Sequence, residues 1–331
     1  MRVGETVPPD TRVLLEKLGL WQRFLTQGHH PTLGSCSSWG SADLGYNDFL
    51  MNAHGHGWHL DRKRFDEFLR NSAISAGVAI FVPMKVVGFE TAGDDAFCLH
   101  TVHAERASLN ARYVVDATGI HSAFARRAGA VQLLTDRLTC VCGFFEASSG
   151  ASRSQLAMLE ATEEGWWYCA ALPNRRVAVM FATDSSTVRD HRLTLENPWF
   201  ARLLRTSHIA PRLDGCRLLA GEMATCVAPS FALNRASGAR WLAVGDAASC
   251  YDPLSSAGIY KALSDGVNAG EAIAAALESA SAIPPQYAAA VAADYRAYEL
   301  HRDDLYRRER RWSDSPFWRR RLGSRKKSRA A

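Results

Sequence analysis

Apolar residues recur at helical spacing near both ends of the chain. Between Thr11 and Phe24, the positions Val13, Leu14, Leu18 and Leu20–Trp21 follow the 3.6-residue repeat, with Pro8–Pro9 at the helix entry. From Leu60 to Ala76, the residues Phe65, Phe68, Leu69 and Ala73 form a stripe that Gly77 stops. A long Ala-rich helix is expected from Ser256 and a polar Tyr/Arg-rich helix from Gln286. Strand patterns over Ala79–Val82, Lys85–Glu90, Phe97–Val102 and Ala111–Asp116 predict a meander with a turn at 93–95. Thr139–Glu146, Gly165–Leu172 and Arg176–Thr183 predict an antiparallel centre, followed by a helical patch at 198–206 and a short apolar strand at 240–245. Residues 28–59 are rich in Gly, His, Ser and Trp, lack periodicity and read as loop. Parallel-type strands, helices at both ends and an antiparallel centre together predict an α/β fold with an inserted sheet.

The 331 residues suit one large domain or two closely joined ones, and 47% hydrophobic with 22% charged residues is a globular composition with a sizeable core. The first residues lack the apolar segment of a signal peptide. No uncharged apolar run is long enough for a bilayer, since Glu271 and Glu278 interrupt the Ala-rich stretch. A cytoplasmic protein without membrane contact is expected. The eight cysteines include no Cys-x-x-Cys pair; Cys140 and Cys142 alternate as on one strand face, and all eight read as reduced core thiols rather than metal ligands. Net charge is +5, but residues 319–331 hold seven basic side chains and no acid, leaving −2 for the rest. The basicity is thus expected in a solvated, disordered tail and not on a nucleic-acid-binding face.

The densest candidate chemistry runs from Gly245-Asp246-Ala-Ala through Asp252-Pro253-Leu-Ser255-Ser256-Ala-Gly258-Ile259. An Asp at the end of a strand can accept hydrogen bonds from sugar or ribityl hydroxyls. A Ser-Ser-Ala-Gly turn at a helix start leaves backbone N–H groups free at the positive end of the helix dipole. An anionic reduced flavin needs such a site at its N1–C2=O edge. An ordinary strand–turn–helix would account for Gly-Asp-Ala-Ala alone, but less readily for the whole block.

That block resembles the second flavin-contacting motif of flavoprotein monooxygenases and flavin-dependent halogenases. Arg2-Val-Gly-Glu5, Gly57-Trp58-His-Leu-Asp61-Arg62 with Phe65-Asp66, Asp116-Ala-Thr-Gly119 and Gly165-Trp-Trp-Tyr168 stand in the same order as in flavin-dependent tryptophan halogenase-like proteins. The set is most similar to flavoproteins that modify tryptophan during maturation of quinone-cofactor amine and amino-acid oxidases. The segments Tyr306-Arg-Arg-Glu-Arg-Arg-Trp312 and Ser315-Pro-Phe-Trp318 look like that branch as well.

The resemblance implies a glutathione-reductase-like FAD-binding domain of three layers, with a parallel sheet and a β-meander, and an inserted antiparallel-sheet substrate domain. The FAD-binding part would comprise 1–130 and 235–285, the substrate sheet 131–234, a helical segment 286–318 and the basic tail 319–331. A protein of this type should open with a strand, a Gly-x-Gly-x-x-Gly turn and a helix. That first βαβ unit is absent, and Gly55-His-Gly57 lacks the third glycine and a preceding strand. A mis-called start or a deletion is the expectation.

By the same resemblance, Gly4 and Glu5 would lie by the flavin ring, Arg62 would approach the cofactor, and Thr118 and Gly119 would meet its dinucleotide portion. Asp246 would bind the ribityl chain, Gly245 would be a further cofactor-binding position, and Pro253, Ser256, Gly258 and Ile259 would line the pyrimidine edge. Trp166, Trp167 and Tyr168 would wall a substrate channel, although aromatic core packing is at least as ordinary a role for each. Trp58, His59 and Ser255 are the candidate catalytic positions. An ordinary imidazole pKa suits His59 to proton transfer near neutrality. The His54, His56, His59 set reads as a loop beside the pocket rather than a metal site. The Tyr/Arg-rich stretch 295–311 reads as a solvated helix and the first candidate for partner contact.

The implied activity is that of an FAD-dependent oxidoreductase. NADH, NADPH or a reduced flavin partner would supply electrons, and O2 would give a flavin C4a-hydroperoxide that hydroxylates an aromatic small molecule or a protein-bound tryptophan. Halogenases place a lysine in the region corresponding to 25–57 and a glutamate after Pro-Leu. This chain has no lysine between Lys17 and Lys63, and Ser255 stands at the second position. A halogenase, a flavin-free binding protein and a reductase of prenyl chains are the alternatives. If the missing unit matters, the 331-residue chain will hold less FAD than one extended upstream by a Gly-rich strand–turn–helix. Visible flavin absorbance after removal of free FAD measures this, and equal retention would refute it.

Overall fold

A sixteen-residue strand, Gln132–Ala147, forms the spine of the larger of two layered regions. The computed structural model describes residues 5–93, 96–102, 106–148, 154–279 and 281–322. Gly4, the tip of the turn at 94–95 and the basic residues beyond 322 therefore lie outside the described residues. From Leu138 to Phe145 every side chain of the spine is buried, because both faces of its sheet are covered. On one face Val141 and Phe145 pack with Trp167, Phe181 and Trp199. On the other, Leu138, Cys140 and Cys142 pack with Trp166, Met180, Tyr306, Phe317 and Trp318. Period-two alternation persists, but both halves of it are apolar.

Among the described residues this sheet has nine strands. The order across it is Ser249–Cys250, Ala224–Leu233, Gln132–Ala147, Arg176–Thr183, Gly165–Ala171, Leu156–Thr162, Gly34–Ser38 and Gly45–Asp48, with Cys216–Leu218 also pairing with the spine. Most pairings are antiparallel; Leu156–Thr162 runs parallel to Gly34–Ser38. Two of the strands thus come from the region read as loop. Their pattern is hidden because the buried positions of Gly34–Ser38 are Gly34, Cys36 and Ser38, which carry little apolar bulk.

The second region holds the two strands whose ends carry the motifs. Val114–Asp116 runs parallel to Trp241–Ala243, which also pairs with Ser237–Gly238. The meander Lys85–Ala92, Ala96–Val102 and Arg106–Ala111 packs here through Phe89 and Phe97 against Phe124. The helix Gly258–Glu278 adds Ala269 and Ala276, and Pro285–Arg308 adds Tyr287 and Val291. A small sheet of Thr6–Val7, Gly57–His59 and His30–Thr32 lies alongside, with Val7, Leu15, Phe24, Leu60 and Phe65 beneath it.

Several boundaries differ from the sequence expectation for local reasons. The first helix divides into Thr11–Lys17 and Trp21–Leu25 at Gly19, whose φ of +68° a helix cannot contain. Residues 79–82 form no strand ahead of Pro83. The stretch read as a solvated helix is core on one face: Tyr295, Tyr298, Arg302 and Tyr306 of Pro285–Arg308 are all buried. That face is therefore closed to a partner. The expectation of a solvated tail from residue 319 likewise fails at its first residues: Pro316–Leu322 is helical and Arg321 is buried beside Asp136 and Asp184.

Those buried charges form one network around Asp252. Its Oδ1 accepts from the Leu254 N–H at 2.9 Å, and its Oδ2 accepts from Tyr306 Oη at 2.8 Å and Arg302 Nε at 3.4 Å. Its own N–H donates to Tyr298 Oη at 2.7 Å, and Arg302 continues to Asp136 on the spine. Burial pushes the Asp252 carboxyl up, against the pull of Arg302. Removing one partner strands the others in a dry interior, which costs about 3–5 kcal/mol. Asp252→Ala and Arg302→Leu are each expected to lower the urea unfolding midpoint by that equivalent, and Tyr306→Phe by about 1 kcal/mol. Midpoints within error of the parent for both charge variants would refute the network's role.

Candidate functional site

The parallel pair brings the two motif turns side by side. Asp116 and Ala243 are register partners, Val244 N–H donates to the Asp116 carbonyl at 3.0 Å, and Ser122 Oγ donates to the Ala247 carbonyl at 2.8 Å. In the first turn the Asp116 carboxylate accepts from Thr118 N–H, Thr118 Oγ1 and Ala125 N–H. The Thr118 hydroxyl is thereby engaged within the turn, whereas Gly119, at φ +63°, faces open space. A cleft of about 720 Å³ adjoins it, lined by His121, Arg126, Arg127 and Gln132. A smaller hollow of about 380 Å³, lined by Arg23, Thr26, Arg64 and Phe68, includes none of the motif residues.

In the second turn Gly245 has φ +54° and lies against Ala262, so a side chain there would be strained. Two residues that sequence reasoning missed clamp its peptide. Asp265 Oδ2 accepts from Gly245 N–H at 2.9 Å, Lys261 Nζ donates to the Gly245 carbonyl at 2.8 Å, and the pair meet at 2.7 Å. Their i, i+4 spacing on Gly258–Glu278 is visible in the sequence, but its inward direction is not. Asp246 is half-buried beside this clamp. Burial pushes its carboxyl up, while Lys261 and Arg62 pull it down, so Arg62 and Asp246 do share one electrostatic environment. Arg62 also contacts Asp66 at 3.4 Å.

Beyond Asp252 the chain turns through Pro253–Ser255, and Ser256 adopts the left-handed conformation at φ +48°. The Ser255 hydroxyl donates to the Asp252 carbonyl at 2.9 Å, which makes it a brace of the turn. The helix Gly258–Glu278 then begins without a side-chain cap, and its first internal bond is Lys261 N–H to Ala257. The N–H groups of Gly258, Ile259 and Tyr260 precede that bond, and nothing lies within 4 Å of where a Gly258 side chain would stand. An uncapped start of a 21-residue helix, facing open space, fits the electron-rich pyrimidine edge of a flavin. Ile259 itself points into the apolar cluster containing Val7 and Leu60.

That packing sets Thr6–Val7 against the helix. Thr6 and His59 are directly opposed, and Thr6 Oγ1 lies 3.0 Å from His59 Nδ1 and 2.7 Å from Tyr168 Oη. Thr6 thus joins a strand of the small sheet to the large one, a link with no signal in the sequence. Glu5, which is buried, accepts from Leu60 N–H at its carbonyl and acts electrostatically on both Tyr168 and Cys142. Burial keeps the Tyr168 phenol protonated, pushing its pKa up, and Glu5 reinforces this.

The other aromatic candidates separate. Trp166 is interior and donates from Nε1 to Tyr306 at 3.2 Å; Trp167 stacks on Phe181 at 4.5 Å on the far face, away from Tyr168. Trp58 alternates away from His59 to pack with Trp21 and Phe24. Of that group only Tyr168 joins the Thr6–His59 chain. His54 and His56 are only partly buried, and among the described residues no cluster of metal-ligand type occurs.

A family model described as an FAD binding domain matches residues 4–287. The chain is similar to the protein named as FAD-dependent oxidoreductase LodB in Marinomonas mediterranea, at 30% identity over 323 residues, covering 97% of this chain and 86% of LodB. Among solved structures it resembles CmlS, a flavin-dependent halogenase, with TM-score 0.85 and 23% identity, over 97% of this chain and 60% of CmlS. It also resembles QhpG, a peptidyl tryptophan dihydroxylase essential for tryptophylquinone cofactor biogenesis, with TM-score 0.75 and 22% identity, over 98% of this chain and 71% of QhpG. The last two likenesses bear on the fold.

Two buried histidines, His59 of the site and His29 beside Phe24 and Phe65, give the fold a pH dependence. Burial lowers His59 from 6.5 to about 4, partly opposed by the Gln155 backbone, and lowers His29 to about 4, partly opposed by Asp61. The imidazole at 59 is therefore neutral at neutral pH, well below the ordinary value that sequence reasoning assigned it. His29 Nδ1 accepts from Asp61 N–H at 3.2 Å, as a neutral ring can. The unfolded chain binds these protons near pH 6.5 and the folded chain only near 4, so stability is complete above 6.5 and falls as pH drops towards 4. The loss is about 3 kcal/mol for each histidine. Urea midpoints across that range are expected to show it, with His59→Asn flattening about half the slope; an unchanged slope would refute the assignment.

Proposed function

The chain belongs to the FAD-binding-domain family and is an FAD-dependent oxidoreductase; from that premise we propose that it is a monooxygenase hydroxylating an electron-rich aromatic ring, presented as a tryptophan side chain of a protein. The observation that carries this reading is the uncapped start of Gly258–Glu278, set against the strand that bears the Tyr168–Thr6–His59 chain. When bound, the flavin supplies the two-electron activation of O2.

The protein's own contribution is to bind, orient and move a proton. The N–H groups at 258–260 and the positive helix end would hold the pyrimidine edge. Asp246 would accept from the ribityl hydroxyls, with Lys261 and Asp265 keeping the Gly245 peptide in place. Arg62 would balance Asp246 and meet the cofactor's anionic portion. Tyr168, protonated and anchored at 2.7 Å on Thr6, would donate towards the oxygen being transferred. His59, neutral and 3.0 Å from Thr6, would act by holding that hydroxyl in place and so orienting the Tyr168 phenol.

A halogenase reading draws on fold and on partial sequence similarity. It lacks the lysine expected between residues 25 and 57 and the glutamate where Ser255 stands with its hydroxyl bonded to its own turn. Family membership sets aside the flavin-free binding protein.

The test uses the FAD-loaded protein, NADH or NADPH, isotopically heavy O2 and a tryptophan-bearing peptide. Heavy oxygen in the indole ring, independent of chloride or bromide, is the expected result, and a halogenated product would overturn the proposal. Tyr168→Phe is expected to lower hydroxylation by on the order of tenfold or more while FAD binding persists.

A further inference from the structure

One group of titratable side chains plays no part in the scheme above. Cys140 on the spine and Cys226 on Ala224–Leu233 are direct register partners, so their side chains share a face of the sheet, and Cys142 follows on that face two residues along. Cys140 and Cys142 are buried, whereas Cys226 is exposed. All three were expected to be core thiols; Cys226 is not one.

Cys226 lies opposite Cys140 and diagonal to Cys142 on this face, and its thiol interacts electrostatically with both. Their location is specific: Cys142 senses Glu5 and Cys140 senses Asp252, so the group lies between the flavin-side strand and the Asp252 loop. Directly opposed residues of an antiparallel pair have Cα atoms about 4.5–5.5 Å apart, inside the 4.4–6.8 Å that a disulfide accepts. The diagonal Cys142–Cys226 pair is wider, at about 7–8 Å.

We propose that Cys226 and Cys140 form a peroxide-responsive thiol pair that closes to a cross-strand disulfide, Cys226 being the attacking sulfur and Cys140 the resolving one. The oxidant is hydrogen peroxide, which flavoproteins release when reduced flavin meets O2 without a substrate. The Cys226 sulfur attacks one peroxide oxygen, the O–O bond breaks, and water and a sulfenic acid result. The Cys140 sulfur then attacks Cys226, the S–S bond forms, and the sulfenic oxygen leaves as a second water. Two thiols and one peroxide thus give one disulfide and two waters, the two electrons passing from sulfur to oxygen.

Electrostatics agree with those roles. The neighbouring Cys140 and Cys142 thiols draw Cys226 well below the usual thiol range, while that neighbour and burial push their own pKa values up. An exposed thiolate beside a buried, protonated thiol is the arrangement that favours a sulfenic acid resolved by its neighbour.

The experiment uses the full, reduced protein and added hydrogen peroxide, so it is independent of the hydroxylation assay. Trypsin leaves Cys140 and Cys142 on the peptide 138–153 and Cys226 on 218–235. Expected is a linked pair of these peptides, lighter by two hydrogens and cleaved by dithiothreitol, retained in Cys142→Ser and lost in Cys140→Ser and Cys226→Ser. Iodoacetamide applied to the folded parent at neutral pH is expected to label Cys226 on the order of tenfold faster than Cys98 or Cys216. Blocking in this way before peroxide should prevent the link without any substitution. A link that persists in Cys140→Ser, or a parent protein in which Cys226 ends as sulfinic acid with no linked peptide, would overturn the proposal.

Discussion

The contact between Asp252 and Arg302 is the constraint on which the rest of the site depends. Asp252 sits in the loop that leads into Gly258–Glu278, and Arg302 sits in the last third of the next long helix. A carboxylate and a guanidinium taken out of water cost several kcal/mol each, and they are tolerated because Tyr298, Tyr306, Leu254 and Asp136 satisfy their remaining positions. The same set of bonds joins the loop to the spine of the large sheet. Loop, helix and sheet therefore hold one relative position, and the uncapped helix start is aimed by it.

Around this anchor the site assembles from short segments far apart in the chain. The parallel pair sets the Asp116 and Gly245 turns side by side, and the Lys261–Asp265 clamp holds Gly245 in a backbone conformation that suits glycine. Thr6 bridges the small sheet to Tyr168 of the large one. A chain of Tyr168, Thr6 and a neutral His59 fixes the orientation of the phenol without adding a charge to the interior.

Legibility in the sequence follows how local each signal is. The Gly245 block was readable because a turn, a left-handed residue and a helix start are specified by adjacent residues, and the antiparallel centre because its strands are strongly apolar. The strands Gly34–Ser38 and Gly45–Asp48 were hidden, one by its small buried residues and the other because all its side chains face solvent. Trp166-Trp167-Tyr168 shows the limit of a motif: alternation sends Trp167 to the opposite face, and only the third residue reaches Thr6. The Tyr/Arg helix misled for a related reason. Its composition is that of a solvated surface, but Arg302 and its tyrosines meet acids from distant strands, and no nearby residue announces them.

The buried charge network also imposes an order on biosynthesis. Asp252 leaves the ribosome fifty residues ahead of Arg302, and Arg321 follows later still. Until those arginines emerge, the loop carries an uncompensated acid with no reason to enter the interior, so a nascent chain can form the spine and its neighbouring strands but not a finished cofactor loop. A flavin site that depends on this loop is then completed only after both arginines have been made, late in the synthesis of the segment described.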